Sequence, residues 1–547
     1  MPSGASPASR AADSGEGFRQ RMAWLHTWCG LTCGWLLCAI FLAGTLSVFR
    51  APITLWMQAA PVLPASGARL GAQADAGVSN AALANALDYL GRHAASAKAW
   101  SLTLPDTAGE ALMLSWRDAG GRAMQVAADP ADGSALPVPW GRQTEGGRHF
   151  MSFHYMLHAG MAGFWLVGWI AMCALVALVS GIVVHKRIFK DFFTFRPGKG
   201  QRSWLDAHNA GAVLTLPFLL MIVYTGLSYF YSSYMPLPLR AVYGDAAGAY
   251  QSFQSELKEG EGAMASPLAA AVVTLPNIGP LRDRAEALTG DAVRRIFIAR
   301  PGRPDMVVRM MGDKPDSADT GAIHGEAGLV VFEQAGPRIV EAVRSGAPEH
   351  FSARHVHPVL EQLHVAGFGG WGMKWLYFLS GLIGTAMIAT GLQLFAIKRR
   401  QKSLHEFGRA TPQVYRLIDI LNLTFIAGAC VASIGFFYAN RLIPAQAPDR
   451  PALEIQAYFA VWLACLLHAA LRPVARAWRE QVALLAALCL GLPLLNWITT
   501  GQHLPGYLAR QDWQRAGVEL CALAIGAAAL LVWRRLGRAP AAEGRTA

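Results

Sequence analysis

Eight runs of apolar residues decide what this 547-residue chain can be: about 24–49, 160–184, 208–232, 372–396, 415–438, 455–472, 481–499 and 516–534. A helix rises about 1.5 Å per residue, so about eighteen to twenty apolar residues cross a hydrocarbon layer of about 30 Å. Only 15% of the residues are charged, against 53% hydrophobic. A water-soluble chain carries nearer to about 25% charged residues. Disorder, fibrous repeats and a single soluble enzyme are thereby excluded. What remains is an α-helical polytopic membrane protein with aqueous segments.

The positive charge is placed asymmetrically. Arg10, Arg19 and Arg21 precede the first run. That run is too long for a secretory signal core and no small-x-small site follows it, so it reads as an uncleaved signal anchor. The connection 185–207 carries Lys186, Arg187, Lys190, Arg196, Lys199 and Arg202, and 397–414 carries Lys398, Arg399, Arg400, Lys402 and Arg409. Arg472, Arg476 and Arg479 follow the sixth run, and Arg534, Arg535 and Arg538 the last. Every alternate connection is basic, which predicts both termini in the cytoplasm. The net charge of +12 needs no nucleic acid.

All eight cysteines lie inside apolar runs. They read as small packing residues, with no disulfide framework and no soluble zinc site. The segments 50–150 and 233–370 are predicted outside the cytoplasm. In the first, Ala81 to Ala97 reads as helix, Ser101–Trp116 and Arg122–Ala128 alternate as strands, and Asp129–Gly133 makes a turn. In the second, Pro280 to Leu288 reads as helix, with strands at Arg294–Ala299, Asp305–Met311 and Leu329–Glu333.

The pattern repeats. His26 is followed eighteen residues on by Gly44, and His208 eighteen residues on by Gly226. The second and fourth runs begin with Leu157-His158-Ala-Gly and Leu363-His364-Val-Ala-Gly, each with a tryptophan seven residues after its histidine, Trp165 and Trp371. Each later has a small-glycine pair, Ser180-Gly181 and Thr390-Gly391, before a Lys-Arg edge. The unit is span, outer helix-plus-sheet domain, span, used twice. The four spans are predicted to form a bundle, with the last four appended. The partition is a tail at 1–23, spans at 24–49, 151–187, 204–232 and 359–397, and outer domains at 50–150 and 233–358. Loops lie at 188–203 and 398–414, a C-terminal membrane extension at 415–536 and a tail at 537–547.

The fifteen histidines are not scattered. His26, His185 and His208 lie near the cytoplasmic edge, and His154, His158, His355, His357 and His364 near the outer edge. Ionisable residues at membrane depth point to function. His26 and His208 are repeat mates at one depth, His158 and His364 at the other. Imidazoles facing across a bundle are suited to clamping haem iron. Gly30, Gly34, Gly160, Gly163 and Gly211 would let a flat macrocycle approach. His185 is the reserve ligand on the cytoplasmic side. His154 and His158, four apart, with His355 and His357 also form a candidate zinc, copper or iron site. Trp165, Trp371 and Tyr377 read as an interfacial aromatic belt or as haem-edge residues. Gly367-Phe-Gly-Gly-Trp-Gly372 follows no strand, so it is not a dinucleotide loop. Walker A, Gly-x-Ser-x-Gly and His-Glu-x-x-His sequences are absent.

Four stretches carry a resemblance: Leu25-His-Thr-Trp-Cys-Gly-Leu31, Leu157-His-Ala-Gly160, His185-Lys-Arg-Ile-Phe-Lys-Asp-Phe-Phe-Thr-Phe-Arg-Pro-Gly-Lys199 and Trp204-Leu-Asp-Ala-His-Asn209. With Trp375 to Arg400 they resemble the PepSY-associated transmembrane family of iron-regulated bacterial inner-membrane proteins over about residues 20–400. The end of the first outer segment, Asp129-Pro-Ala-Asp-Gly133, is similar to the end of a PepSY domain. Some family members are haem-containing ferrisiderophore reductases. The resemblance implies two b-type haems held by membrane histidines. Those matching family histidines are His26, His158, His185, His208 and His364. It also implies a periplasmic ferric siderophore or other Fe(III) chelate as acceptor and a cytoplasmic reductase or membrane quinol as donor. Two other functions stand beside this one: a non-enzymatic PepSY binding or regulatory module, and an iron or siderophore transporter using the extra spans, whose exceptional charges are Asp419 and Glu519.

Overall fold

Each apolar run folds as continuous helix, because lipid offers a backbone amide no partner outside the helix itself. A computed structural model describes residues 7–61, 63, 78–105, 109–185, 201–244, 252–253, 276–312, 327–333, 338–346, 355–402 and 408–538. Among these residues eight helices are long and apolar enough to cross a membrane: Gly17–Ser47, Gly160–Val184, Gln201–Tyr229, Gly370–Arg400, Gly408–Leu442, Arg450–Leu471, Val474–Thr500 and Trp513–Gly537. All eight expected spans are present. Several are longer than the apolar runs that mark them, since a helix continues past the hydrocarbon into polar sequence. Lys186, Arg187, Lys190, Arg196 and Lys199, most of the 185–199 stretch, and His324, His350 and His405 lie outside the described residues.

The main helices in chain order are α1 Pro7–Ser47, α2 Arg50–Gln58, α3 Asn80–His93, α4 Arg148–Met156, α5 Gly160–Val184 and α6 Gln201–Tyr229. They continue with α7 Ile278–Thr289, α8 Val356–Val365, α9 Gly370–Lys402, α10 Thr411–Leu423 and α11 Ala429–Leu442. A π-helical turn, Thr424–Gly428, joins α10 to α11 within one span. The last four are α12 Arg450–Leu471, α13 Val474–Thr500, α14 Leu504–Ala509 and α15 Trp513–Arg538. The chain divides into a helical unit (residues 1–59, 142–228 and 374–547) and a unit made of the two inserts (60–141 and 229–373).

In the second unit the strands are β1 Ala99–Thr103, β2 Leu112–Arg117, β3 Ala123–Ala128, β4 Val293–Ala299, β5 Val307–Gly312, β6 Leu329–Glu333 and β7 Arg338–Val343. The sequence suggests two outer domains. The strands instead form one seven-stranded antiparallel sheet, ordered β3-β2-β1-β4-β5-β6-β7. The join is β1 on β4, where Trp100 pairs with Ile298 and Leu102 with Ile296. The pairing runs from Ala99 with Ala299 to Thr103 with Arg295, with Ser101 opposite Phe297. Each copy covers the other's unpaired edge, which would otherwise invite aggregation. One core lies between the sheet and α3 with α7, built from Leu83, Leu90, Leu102, Leu114, Ile296, Met310 and Phe332. α3 stops at His93 rather than reaching Ala97, because the Ala94 carbonyl receives the Trp100 indole N–H at 3.0 Å. β7 carries Arg338 and Glu341 in an edge position, which dilutes its strand pattern.

The turn at Asp129–Gly133 docks against α3. Gly133 has φ +75°, and a Cβ there would lie 2.3 Å from the Ala82 carbonyl oxygen. Gly133→Ala is expected to destabilise this unit by about 1–3 kcal/mol through backbone strain alone, more with the clash. Faster proteolysis of the inserts in the intact chain measures it; cleavage at the wild-type rate rejects it.

Candidate functional site

The helical unit brings together what the sequence sets 182 residues apart. The rings of His26 on α1 and His208 on α6 have centroids 6.2 Å apart, with planes inclined by 66°. Each ring is fixed from behind in the same way. His26 Nδ1 donates to the Ala177 carbonyl on α5 at 2.8 Å, and His208 Nδ1 donates to the Met387 carbonyl on α9 at 2.8 Å. A carbonyl only accepts, so in both rings Nδ1 carries the proton and Nε2 keeps its lone pair. Four residues beyond each carbonyl stands a glycine, Gly181 and Gly391. A Cβ there would lie 3.1 Å and 3.0 Å from the Cε1 of His26 and His208. The small-glycine pairs of the sequence repeat are thus seats for the two imidazoles. Orienting bonds to the distal nitrogen are the usual support of a metal-bound histidine.

The spacing suits one metal ion between the rings. Two imidazole–metal bonds of about 2 Å each, with about 1.1 Å from each nitrogen to its ring centre, together span about 6 Å. His185, at the end of α5, lies within electrostatic reach of His208.

The same device occurs a third time, on a residue the sequence ranks lower. His154 on α4 bonds through Nδ1 to the Ile40 carbonyl of α1 at 2.9 Å, and Gly44 lies four residues further on. A Cβ at Gly44 would lie 2.6 Å from that nitrogen. Ile40 is fourteen residues past His26, about 21 Å of helix rise. The two seats therefore lie about 21 Å apart along α1.

His158, the expected ligand at this depth, is occupied differently. Leu157 and His158 both have positive φ, 53° and 52°, and break the chain between α4 and α5. His158 Nε2 donates to the His149 carbonyl at 3.1 Å, and its ring stacks on His149 with centroids 4.9 Å apart. Its expected mate, His364, lies in the other unit. There its ring is 6.2 Å from Tyr229, and His357 Nε2 donates to the Tyr229 carbonyl at 2.9 Å. His355 is buried in that unit. Among the described residues no three His, Cys, Asp or Glu side chains converge to hold a metal ion. The glycines also sort differently from expectation. Gly34 packs on Leu392, Gly211 on Met387 and Gly163 on the Met156 carbonyl, so these serve helix and turn packing; Gly30 and Gly160 meet nothing within 4 Å. Trp165 and Trp371 are about half exposed, as a belt residue would be, while Tyr377 is buried against Phe218.

His149 itself is fully buried between His158, Phe436 and Tyr458, and neither ring nitrogen has a partner among the described residues. Burial pushes its pKa down to about 3. A folded-state pKa below the unfolded value of about 6.5 means the unfolded chain binds the extra proton. Stability from His149 is therefore full above about pH 6.5 and falls as pH drops toward 3, by about 2 kcal/mol at pH 5. His149→Phe is expected to flatten that acid slope and raise stability at neutral pH, since an orphaned imidazole is replaced by a ring with no polar atoms. Melting of both proteins in detergent between pH 7 and 5 decides it; parallel slopes refute it.

The extension holds more buried charge than Asp419 and Glu519. Asp419 pairs with Arg400 at 2.6 Å near the surface. Arg441, Arg450, Glu454 and Glu519 are all buried. Arg450 pairs with Glu454 and bonds the Gln143 carbonyl at 2.6 Å, and Asn440 Nδ2 donates to Glu454 at 2.6 Å. Arg441 stacks over Trp56 at 3.7 Å and donates to the Trp56 and Met57 carbonyls at 2.7 and 3.1 Å. Arg142 reaches the Asn440, Ile443 and Thr499 carbonyls at 3.0–3.4 Å. These guanidinium groups saturate carbonyls at the ends of α2, α11 and α13, where helices leave acceptors unpaired. The network ties the extension to α2 and to residues 142–144 ahead of α4.

Comparison with known proteins agrees with this architecture. The chain is 24% identical to the uncharacterized protein PA4219 of Pseudomonas aeruginosa over 368 residues, which is 64% of this chain and 88% of that one. Residues 23–398 match the family model of the PepSY-associated TM region, covering both repeats and all three imidazole seats but not the extension. The chain is a member of the PepSY-associated transmembrane family.

Proposed function

We propose that this protein is an inner-membrane haem b protein that passes electrons outward across the bilayer to a ferric siderophore or similar Fe(III) chelate. The single observation that carries the reading is the repeated seat: an imidazole locked by Nδ1 to a carbonyl, over a glycine four residues on. Haem held there supplies one-electron chemistry at iron. His26 and His208 are the ligand pair at one depth, with His185 in reserve. At the other depth His154 has the matching geometry and replaces His158 as the ligand from the first repeat. The basic connections favour a cytoplasmic side for the His26–His208 pair, where a reductase or quinol would be the donor. The sheet unit then lies in the periplasm, where the chelate docks. Ferrous iron is held less tightly by hard oxygen ligands, so one electron releases it.

The test is a reduced-minus-oxidised spectrum of the purified protein with a pyridine haemochromogen assay. Two b-type haems per chain are expected. A spectrum without an α-band means the chain works as a binding module or a transporter instead.

A further inference from the structure

The geometry points to Asn422, in the first span of the extension, as a positioning residue for the His26–His208 pair. Its chemical meaning rests on the haem reading above, but the geometric claim concerns the imidazoles themselves.

Each half of the four-span core closes on itself. His26 ties α1 to α5, and His208 ties α6 to α9. The two halves also meet along a seam of α1 against α9. There a Cβ at Gly34 would lie 2.9 Å from Leu392, one at Gly381 2.4 Å from Thr45, and one at Gly384 3.4 Å from Phe41. Asn422 enters this seam from α10. It is fully buried, accepts the Trp35 indole N–H at 2.8 Å and donates to the Leu392 carbonyl at 3.3 Å. Trp35 stands on α1 beside Gly34, and Leu392 directly follows Gly391, the seat of His208. One amide therefore bridges the helix that carries His26 and the helix that seats His208.

No water is at hand in the hydrocarbon layer to replace either partner, so the amide holds the two helices in one register. The chain leaves Asn422 through the π-helical turn Thr424–Gly428, whose first carbonyl receives the Trp462 indole N–H at 2.9 Å. An inserted residue of this kind rotates the helix that follows. Asn422 can then face α1 and α9 while Phe436 and Phe437 pack with Trp56 and Phe150. Span five thus couples the extension to the two-histidine site.

The experiment uses the full chain with Asn422→Leu, which removes both bonds, and Trp35→Phe, which removes one and keeps an aromatic ring. Histidine ¹⁵N spectra of the haem-free protein report the tautomers, and redox titration with low-spin EPR reports the loaded protein. Wild-type His208 is expected as a single Nδ1–H tautomer. Asn422→Leu is expected to give a mixture and to shift the midpoint potential and largest g value of one haem, with Trp35→Phe giving a smaller shift of the same sign. Unchanged tautomers, potential and g value in Asn422→Leu overturn the proposal. If Asn422→Leu does not fold, unchanged readings in Trp35→Phe overturn it. A wild-type chain that takes up no haem, but whose His208 tautomer is lost in Asn422→Leu, leaves the positioning role standing and removes the haem reading.

Discussion

If the protein holds two haems as proposed, His208→Ala is expected to leave about half of the wild-type iron porphyrin per chain, because one of the two would lose a ligand. His26→Ala would give the same loss, since the two rings meet edge to face at 6.2 Å and neither helix carries another histidine. His154→Ala removes the other half. His158→Ala leaves both, because its Nε2 is engaged by the His149 carbonyl. Haemochromogen assay of the four variants checks the whole assignment. Full haem in His208→Ala transfers the ligand role to His185; full haem in His154→Ala returns it to His158.

Arg450→Ala is expected to destabilise the protein by about 3–5 kcal/mol, the usual effect of stripping one partner from a buried ion pair. The substitution removes the cation paired with the fully buried Glu454 carboxylate, frees the Gln143 carbonyl and leaves the Asn440 carbonyl to Arg142 alone. Replacing both charges, as Arg450→Met with Glu454→Met, is expected to recover most of that loss, because no isolated ion is left. Thermal aggregation in detergent compares the three proteins. If the double variant is as unstable as the single one, the arginine acts through the helix-end carbonyls and not through its partner.

Much of the fold is legible from composition and period alone. Eight apolar runs become eight spans because lipid leaves the backbone no alternative. The repeat is legible from His26, His208 and the glycines eighteen residues after each. The strands of the inserts are legible from alternation, except β7, whose charges suit an edge. That the two inserts share one sheet was not legible, because β1 and β4 are nearly two hundred residues apart and either copy alone satisfies the strand pattern.

The candidate site divides the same way. Sequence symmetry singles out His26 and His208, and their rings do meet. The same symmetry favours His158 over His154, since only His158 sits in a repeated motif. The positive φ at Leu157 and His158 turns that ring back onto His149 and leaves His154 facing α1. A helical period carries no information about such a break. The buried charges of the extension were hidden for a related reason: Arg441, Arg450 and Glu454 lie at span ends, where sequence alone suggests headgroup contacts.

The sequence by itself determined the number of spans and singled out His26 and His208 as a pair, because both follow from hydropathy and spacing along one chain. The tertiary structure alone decided which imidazole is seated on which carbonyl, that the inserts merge into one sheet, and that Asn422 bolts α1 to α9. Those are contacts between residues far apart in the chain. They are selected by helix rotation and close packing at glycine, which local pattern does not encode.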